Sequence, residues 1–199
     1  GQFTLTQTNE SSVDTIIAYN ITGTATNTTD YATLSGTVTI AAGATTATIN
    51  VAAIVDDDIV EEHETVIVTI ASVGGDTQTT QAGANNATVT ITDNDVATVS
   101  IAANDATATE AAGDTGQFTL TQTNESSVDT IIAYNITGTA TNTDDYATLS
   151  GTVTIAANTT TATINVAAIV NDDIVEVHET VILTIATVGG DTQTTQAGA

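Results

Sequence analysis

The residues best suited to chemistry are acidic and clustered. Asp56-Asp57-Asp58-Ile59-Val60-Glu61-Glu62-His63-Glu64 carries six carboxylates within nine residues, directly after the apolar run Ala53-Ile54-Val55. A related run, Asn171-Asp172-Asp173-Ile174-Val175-Glu176-Val177-His178-Glu179, follows later in the chain. Asp93-Asn94-Asp95 closes another apolar segment, and Asp30 precedes Tyr31 as Asp144-Asp145 precedes Tyr146. The chain has 24 Asp and Glu and no Lys or Arg, for a formal net charge of −24. No carboxylate can therefore pair with a basic side chain of its own chain. Such clusters must be solvated apart, protonated or neutralised from outside. Hard cations such as Ca²⁺ take six to eight oxygen ligands, and several strand-end loops together can supply them. Mg²⁺ suits the pattern less, because it keeps its waters and uses few carboxylates. The bland alternative is a set of solvated acidic loops. Recurrence of the clusters at strand ends in two copies, with no balancing base, favours the metal. No EF-hand loop and no glycine-rich calcium nonapeptide is present.

The elements that position these loops read as strands. Phe3-Thr4-Leu5-Thr6 alternates apolar and polar residues, the mark of a half-buried strand. The same alternation predicts strands over 15–23, 37–41, 46–55, 65–73, 87–92 and 98–102, with Gly, Asn and Asp between them. No helical period persists over a useful length. Threonine fills most outward positions, as expected of a branched, uncharged, soluble residue on a pleated surface.

The strands repeat. Gly1-Gln2-Phe3-Thr4-Leu5-Thr6-Gln7 returns as Gly116-Gln117-Phe118-Thr119-Leu120-Thr121-Gln122, an offset of 115 residues. Between 1–84 and 116–199 only seven positions differ: Thr29/Asp144, Gly43/Asn158, Ala44/Thr159, Asp56/Asn171, Glu62/Val177, Val68/Leu183 and Ser72/Thr187. A period of this length is a whole β-sandwich domain rather than a solenoid turn. The expectation is an all-β chain of two tandem seven-stranded sandwiches, 1–95 and 96–199. The first would lack its opening strand and the second its closing strand.

Composition excludes several functions. A chain this acidic repels nucleic acid and anionic membrane surfaces. It has no Cys, hence no disulfides or thiolate metal sites. No apolar run reaches the roughly 20 residues of a membrane span. Glycoside hydrolysis by paired carboxylates would need a cleft, aromatic platforms and a raised-pKa acid. With 3% aromatic residues and a site duplicated almost unchanged, no enzyme is expected.

Three elements resemble the Calx-beta domain family: Gly23-Thr24-Ala25 followed by Asp30-Tyr31; the loop from Val55 through Glu64; and Val89-Thr90-Ile91-Thr92-Asp93-Asn94-Asp95. The resemblance covers essentially the whole chain as two modules. It implies seven-stranded immunoglobulin-like sandwiches whose calcium-binding members hold several ions at one end. Carried onto this sequence, it implies Asp30, Asp56, Asp57, Glu61, Glu64, Asp93 and Asp95 as ligands in the first module, with Asp58 and Glu62 as loop residues that need not bind. In the second it implies Glu110, Asp145, Asp172, Glu176 and Glu179. Asn94 and Asn171 stand where calcium-rich members are acidic, so those positions should bind more weakly. His63 and His178 read as exposed loop residues, and Tyr31 and Tyr146 as packing residues.

The functional expectation is a structural repeat segment of a secreted cell-surface fibre or adhesin. Ca²⁺ would be its cofactor, held where one module meets the next and rigidifying the chain. Its partners would be neighbouring repeats, or identical chains in a filament. The alternatives are a calcium-sensing regulatory module, or a fibre subunit assembled by strand exchange between neighbours. Asn-x-Ser/Thr sequons at Asn9, Asn20, Asn27, Asn86, Asn124, Asn135 and Asn158 carry sugar only in an organism that N-glycosylates.

Overall fold

The structure is a computed structural model. It describes every residue except 76, 82, 84, 111–112, 172–176 and 199. The chain divides into two compact units. Unit 1 comprises Gly1–Asp57 and His63–Asp93; unit 2 comprises Asp58–Glu62 and Asn94–Ala199. Among the described residues the regular elements of both are all strands, as the alternation requires.

Unit 1 contains β1 (Gln2–Thr6), β2 (Thr15–Gly23), β3 (Thr37–Ile40), β4 (Thr46–Asn50), β5 (Glu64–Gly74) and β6 (Asn86–Ile91). One sheet runs in the order β3-β2-β5-β6 and the other is the pair β1-β4, all antiparallel. In β2, Thr15, Ile17 and Tyr19 point inward while Ile16 points to solvent. Phe3 and Leu5 do the same from β1. With Tyr31, Ile40, Ile49, Val51, Val66 and Val68 they form the core. Burial of each large aliphatic side chain is worth about 1.5–3 kcal/mol.

Unit 2 contains β7 (Ala97–Asp105), β8 (Gly116–Gln122), β9 (Thr130–Gly138), β10 (Thr152–Ile155), β11 (Thr161–Val166), β12 (Val181–Gly189) and β13 (Thr194–Gln196). One sheet is β10-β9-β12 and the other β11-β8-β7-β13. Here β8, the counterpart of β1, is flanked on both sides: by β11 as β1 is by β4, and by β7. Strand β13 joins the far edge of β7 in parallel. The core comprises Val99, Leu120, Ile132, Tyr134, Ile155, Ile164, Leu183 and Ile185. Segment Asp58–Glu62 packs into this unit through Val60, which is fully buried. The Val60 amide donates to the Glu125 carbonyl (2.9 Å), and its carbonyl accepts from the Ser127 amide (3.0 Å).

Two sequence expectations are corrected. The strand expected over 46–55 stops at Asn50, because Ala53 takes a left-handed φ of 49° and turns the chain. Its counterpart β11 stops at Val166 before Ala168 at φ 48°. Strand β13 was not foreseen, since Thr-Thr-Gln carries no alternating apolar pattern. Pairing with β7 defines it, not propensity.

Candidate metal centre

In unit 1 the turn after β2 begins the site. Gly23 has φ 125°, where L side chains are rarely found, and a Cβ there would overlap the Thr65 carbonyl. That carbonyl accepts from the Ala25 amide (3.1 Å), which draws loop 24–31 against the start of β5. Within the loop, the Thr26 amide donates to Asp30 Oδ2 (2.5 Å) and the Thr28 amide to the Tyr31 carbonyl (3.0 Å). The Val55 amide donates to the Asp30 carbonyl (3.1 Å), so Asp56 and Asp57 emerge beside this loop. Glu64 opens β5 opposite Ile91, and the Asp93 amide donates to His63 Nδ1 (3.2 Å). Asp30, Asp56, Asp57, Glu64 and Asp93 therefore share one end of unit 1. His63 is exposed, as expected, but the structure adds a role: its imidazole tethers the residue that follows β6.

Unit 2 repeats the arrangement. The Thr141 amide donates to Asp145 Oδ2 (2.6 Å), and the Val170 amide to the Asp145 carbonyl (2.9 Å). The Thr180 carbonyl accepts from the Thr139 and Ala140 amides, which brings Glu179 to the same end. Glu110 lies there too, on the loop between β7 and β8, since Gly116 pairs with Val166. The Asp114 carboxylate closes that loop by accepting from the Thr109 amide (2.7 Å) and the Thr115 amide (3.1 Å). The Thr109 hydrogen bonds hold Asp114 below the usual carboxylate range. Glu61 and Asp95 belong to unit 2, where the Glu61 carbonyl accepts from Gln193 Nε2 (3.1 Å). Asp172 and Glu176 lie outside the described residues.

The donor set is all oxygen, carried on loops and at the start of β5, with no basic side chain to compete. This suits a hard cation such as Ca²⁺. In unit 2 the Oδ1 of Asn142, within the Asp145 loop, is buried without a hydrogen-bond partner among the described residues. It is one more neutral oxygen of the kind that Ca²⁺ accepts. Among the described residues, no group of three or more His, Asp or Glu side chains stands close enough to hold a metal ion. The backbone thus gathers the carboxylates at one end without closing a cage.

Sequence reasoning passed over Asp191. Its side chain is almost wholly buried in unit 2; Oδ1 accepts from the Gln193 amide (2.8 Å), and Oδ2 has no hydrogen-bond partner among the described residues. Its only sequence signal was Gly189-Gly190-Asp191, which reads as an ordinary turn.

Tyr31 and Tyr146 are buried, at 2% exposure each, as packing residues should be. Burial, with the nearby Asp30 and Asp145 charges second, pushes both phenols above the usual tyrosine value. A folded pKa raised in this way gives stability that is complete below the unfolded value, about 10, and is lost as pH rises through the folded one. The chain has no Lys, Arg or Cys, so above about pH 9 tyrosines dominate its titration. Thermal melts from pH 9 to 12 should show a loss of stability that the Tyr31→Phe/Tyr146→Phe double variant delays to higher pH.

The Calx-beta domain family model matches residues 3–95 and again 93–198. The chain belongs to the Calx-beta family, as two tandem domains. That family consists of non-catalytic modules. Among solved structures, the chain is similar to CBD12 from CALX1.2, at 20% identity and a TM-score of 0.40, covering 94% of this chain and 74% of that one. It is equally similar to the calcium binding domain CBD12 of CALX1.1, at 20% identity and a TM-score of 0.40, covering 94% of this chain and 73% of that one. No curated protein matches the chain.

Proposed function

We propose that the chain is a structural repeat segment of a secreted cell-surface fibre or adhesin, and that Ca²⁺ held at the loop ends of its sandwiches stiffens it. The observation that carries this reading is duplication. Both units gather carboxylates at the same end by the same backbone hydrogen bonds, from the Thr26 and Thr141 amides to Asp30 and Asp145, in a chain without one basic side chain. Near-identity of the repeats supports a spacer over a sensor, whose modules would diverge with their separate tasks. Membership of the Calx-beta family, whose members include calcium binders, supports the choice of ion.

In unit 1 the ion would draw on Asp30, Asp56, Asp57, Glu64 and Asp93. In unit 2 it would draw on Glu110, Asp145 and Glu179, to which the sequence adds Asp172 and Glu176. When bound, it would neutralise carboxylates that otherwise repel one another. Small-angle X-ray scattering tests the mechanical half of the reading. The chain should show a larger maximum dimension and a narrower spread of conformations in millimolar Ca²⁺ than in EGTA. Identical profiles would refute calcium stiffening.

A further inference from the structure

Unit 2 buries four side-chain oxygens that have no hydrogen-bond partner among the described residues: Oδ2 of Asp191, Oγ1 of Thr130, Oγ1 of Thr194 and Oε1 of Gln122. All four residues are almost wholly buried. Buried polar groups are nearly always paired, so each such atom calls for an explanation. The carboxylate is the most costly of them to bury unpaired, and the chain has no Lys or Arg to offer it.

The strands bring the four to one end of the unit 2 core. Thr130 opens β9, Gln122 closes β8 and Thr194 opens β13, while Asp191 stands in the turn between β12 and β13. Gly190 presses that turn onto the start of β9. At its φ of 122°, a Cβ would come within 2.6 Å of the Asp129 carbonyl oxygen and 3.2 Å of Thr130 Cα. The Thr194 amide donates to the Asp191 carbonyl (3.2 Å), which closes the turn. The three strand residues face inward, since their neighbours Thr121, Ile131 and Thr195 are exposed. Gln122 and Thr194 belong to one sheet and Thr130 to the other, so both layers of the sandwich contribute.

The surroundings are ordered. Gln122 Nε2 donates to the Thr159 carbonyl (2.8 Å), which holds that amide in place. In the loop after Gln122, Ser126 is fully buried and bridges to Val60, and its carbonyl accepts from the Asn158 amide (2.8 Å). This end lies away from the carboxylates proposed for Ca²⁺. Asp145 and Glu179 stand beyond the other end of β9, whose nine residues span roughly 25 Å. In unit 1 the counterparts of two of the oxygens, Gln7 Oε1 and Thr15 Oγ1, are likewise buried without a partner among the described residues, so the pattern is not peculiar to one copy.

We propose that these four oxygens form a buried site in unit 2 for a monovalent cation such as Na⁺. Two threonine hydroxyls and an amide carbonyl supply lone pairs without adding charge. Charge then decides the class of ion. One carboxylate among neutral oxygens balances a single positive charge, whereas a divalent ion would leave a net charge in the dry core. A bridging water would satisfy the hydrogen bonding but leave the Asp191 charge uncompensated. The ion joins the turn after β12 to the ends of β8, β9 and β13, and so ties the two sheets together where no backbone ladder connects them.

The test titrates NaCl into the full 199-residue chain with EGTA present, exchanging it for tetramethylammonium chloride at constant ionic strength, and follows amide chemical shifts. We expect a saturable response to Na⁺ at the Thr130, Asp191, Gln193 and Thr194 amides. Asp191→Asn keeps an Oδ1 acceptor for the Gln193 amide and removes the charge, and should abolish the response. Thr194→Val leaves the carboxylate and the pairing of β13 in place and should weaken binding about tenfold, through loss of one oxygen. It carries the test if Asp191→Asn fails to fold. No saturable response to Na⁺, or one that survives either substitution unchanged, would overturn the proposal. A response at these amides to Ca²⁺ alone would also overturn it, while leaving the calcium reading of the opposite end untouched.

Discussion

Adding Ca²⁺ in about 100-fold excess over its dissociation constant should raise the melting temperature of the EGTA-treated chain by roughly 10–20 °C for each site filled. The size follows from linkage: at a free ion concentration 100 times the dissociation constant, one site adds about 2.7 kcal/mol. In a domain of 60–100 residues, 1 kcal/mol moves the midpoint by about 4–8 °C. Extracellular calcium modules bind at about 10⁻⁴–10⁻³ M, so that excess is about 10 mM Ca²⁺ at the tight end of the range and about 100 mM at the weak end. Mg²⁺ at the same concentration should do far less, because the loops offer many carboxylates and Mg²⁺ gives up its waters reluctantly. Asp30→Asn and Asp145→Asn keep side-chain oxygens for the Thr26 and Thr141 amides and remove a charge from each site. Each variant should reduce the Ca²⁺-induced shift while leaving the melt in EGTA nearly unchanged. A melt indifferent to Ca²⁺ would leave the acidic ends as solvated faces.

The second large effect is a comparison inside one molecule. Leu5 and Leu120 occupy equivalent places in near-identical sequence, yet Leu120 lies beneath β7 and is fully buried while Leu5 lines a groove. Leu120→Ala should cost unit 2 about 3–5 kcal/mol, the upper part of the range for a buried leucine, because its cavity is enclosed on every side. Leu5→Ala should cost unit 1 about 2–3 kcal/mol, since part of the vacated space already opens to water. Urea unfolding resolved by unit, with Tyr19 and Tyr134 as reporters in turn, would measure both. Equal losses would mean that β7 adds little to the core it covers.

Much of this architecture was legible in the sequence, for a physical reason. Alternation at period two is imposed by the pleat itself, so β2, with Thr15, Ile17 and Tyr19 inward, could be read directly. The acidic end was legible because 24 carboxylates without a base leave few electrostatic options. What escaped was set by tertiary context. Nothing local in Val-Ala-Ala-Ile-Val announces that Ala53 will adopt a left-handed conformation and end β4. Thr194–Gln196 is a strand only because β7 offers it an edge. Val60, in the middle of the acidic run, looked like a loop residue and is instead a fully buried part of unit 2. The runs of Asp and Glu were plain in the sequence, but where each loop turns is set by tertiary context.

The parallel pairing of β13 with β7 has a mechanical consequence. Ala97 and Thr194 lie side by side, as do Val99 and Gln196. The chain enters this pair at the start of β7 and leaves it at the end of β13. Tension along the backbone therefore pulls the two strands past each other instead of peeling them apart. The hydrogen bonds around them, from the Ala97 amide to the Gln193 carbonyl (3.3 Å) and from the Ala197 amide to the Val99 carbonyl (2.9 Å), are then strained together rather than one after another. Rupture in shear requires a greater force than unzipping the same number of bonds, so β13, the shortest strand of unit 2, sits where it can most increase resistance to extension.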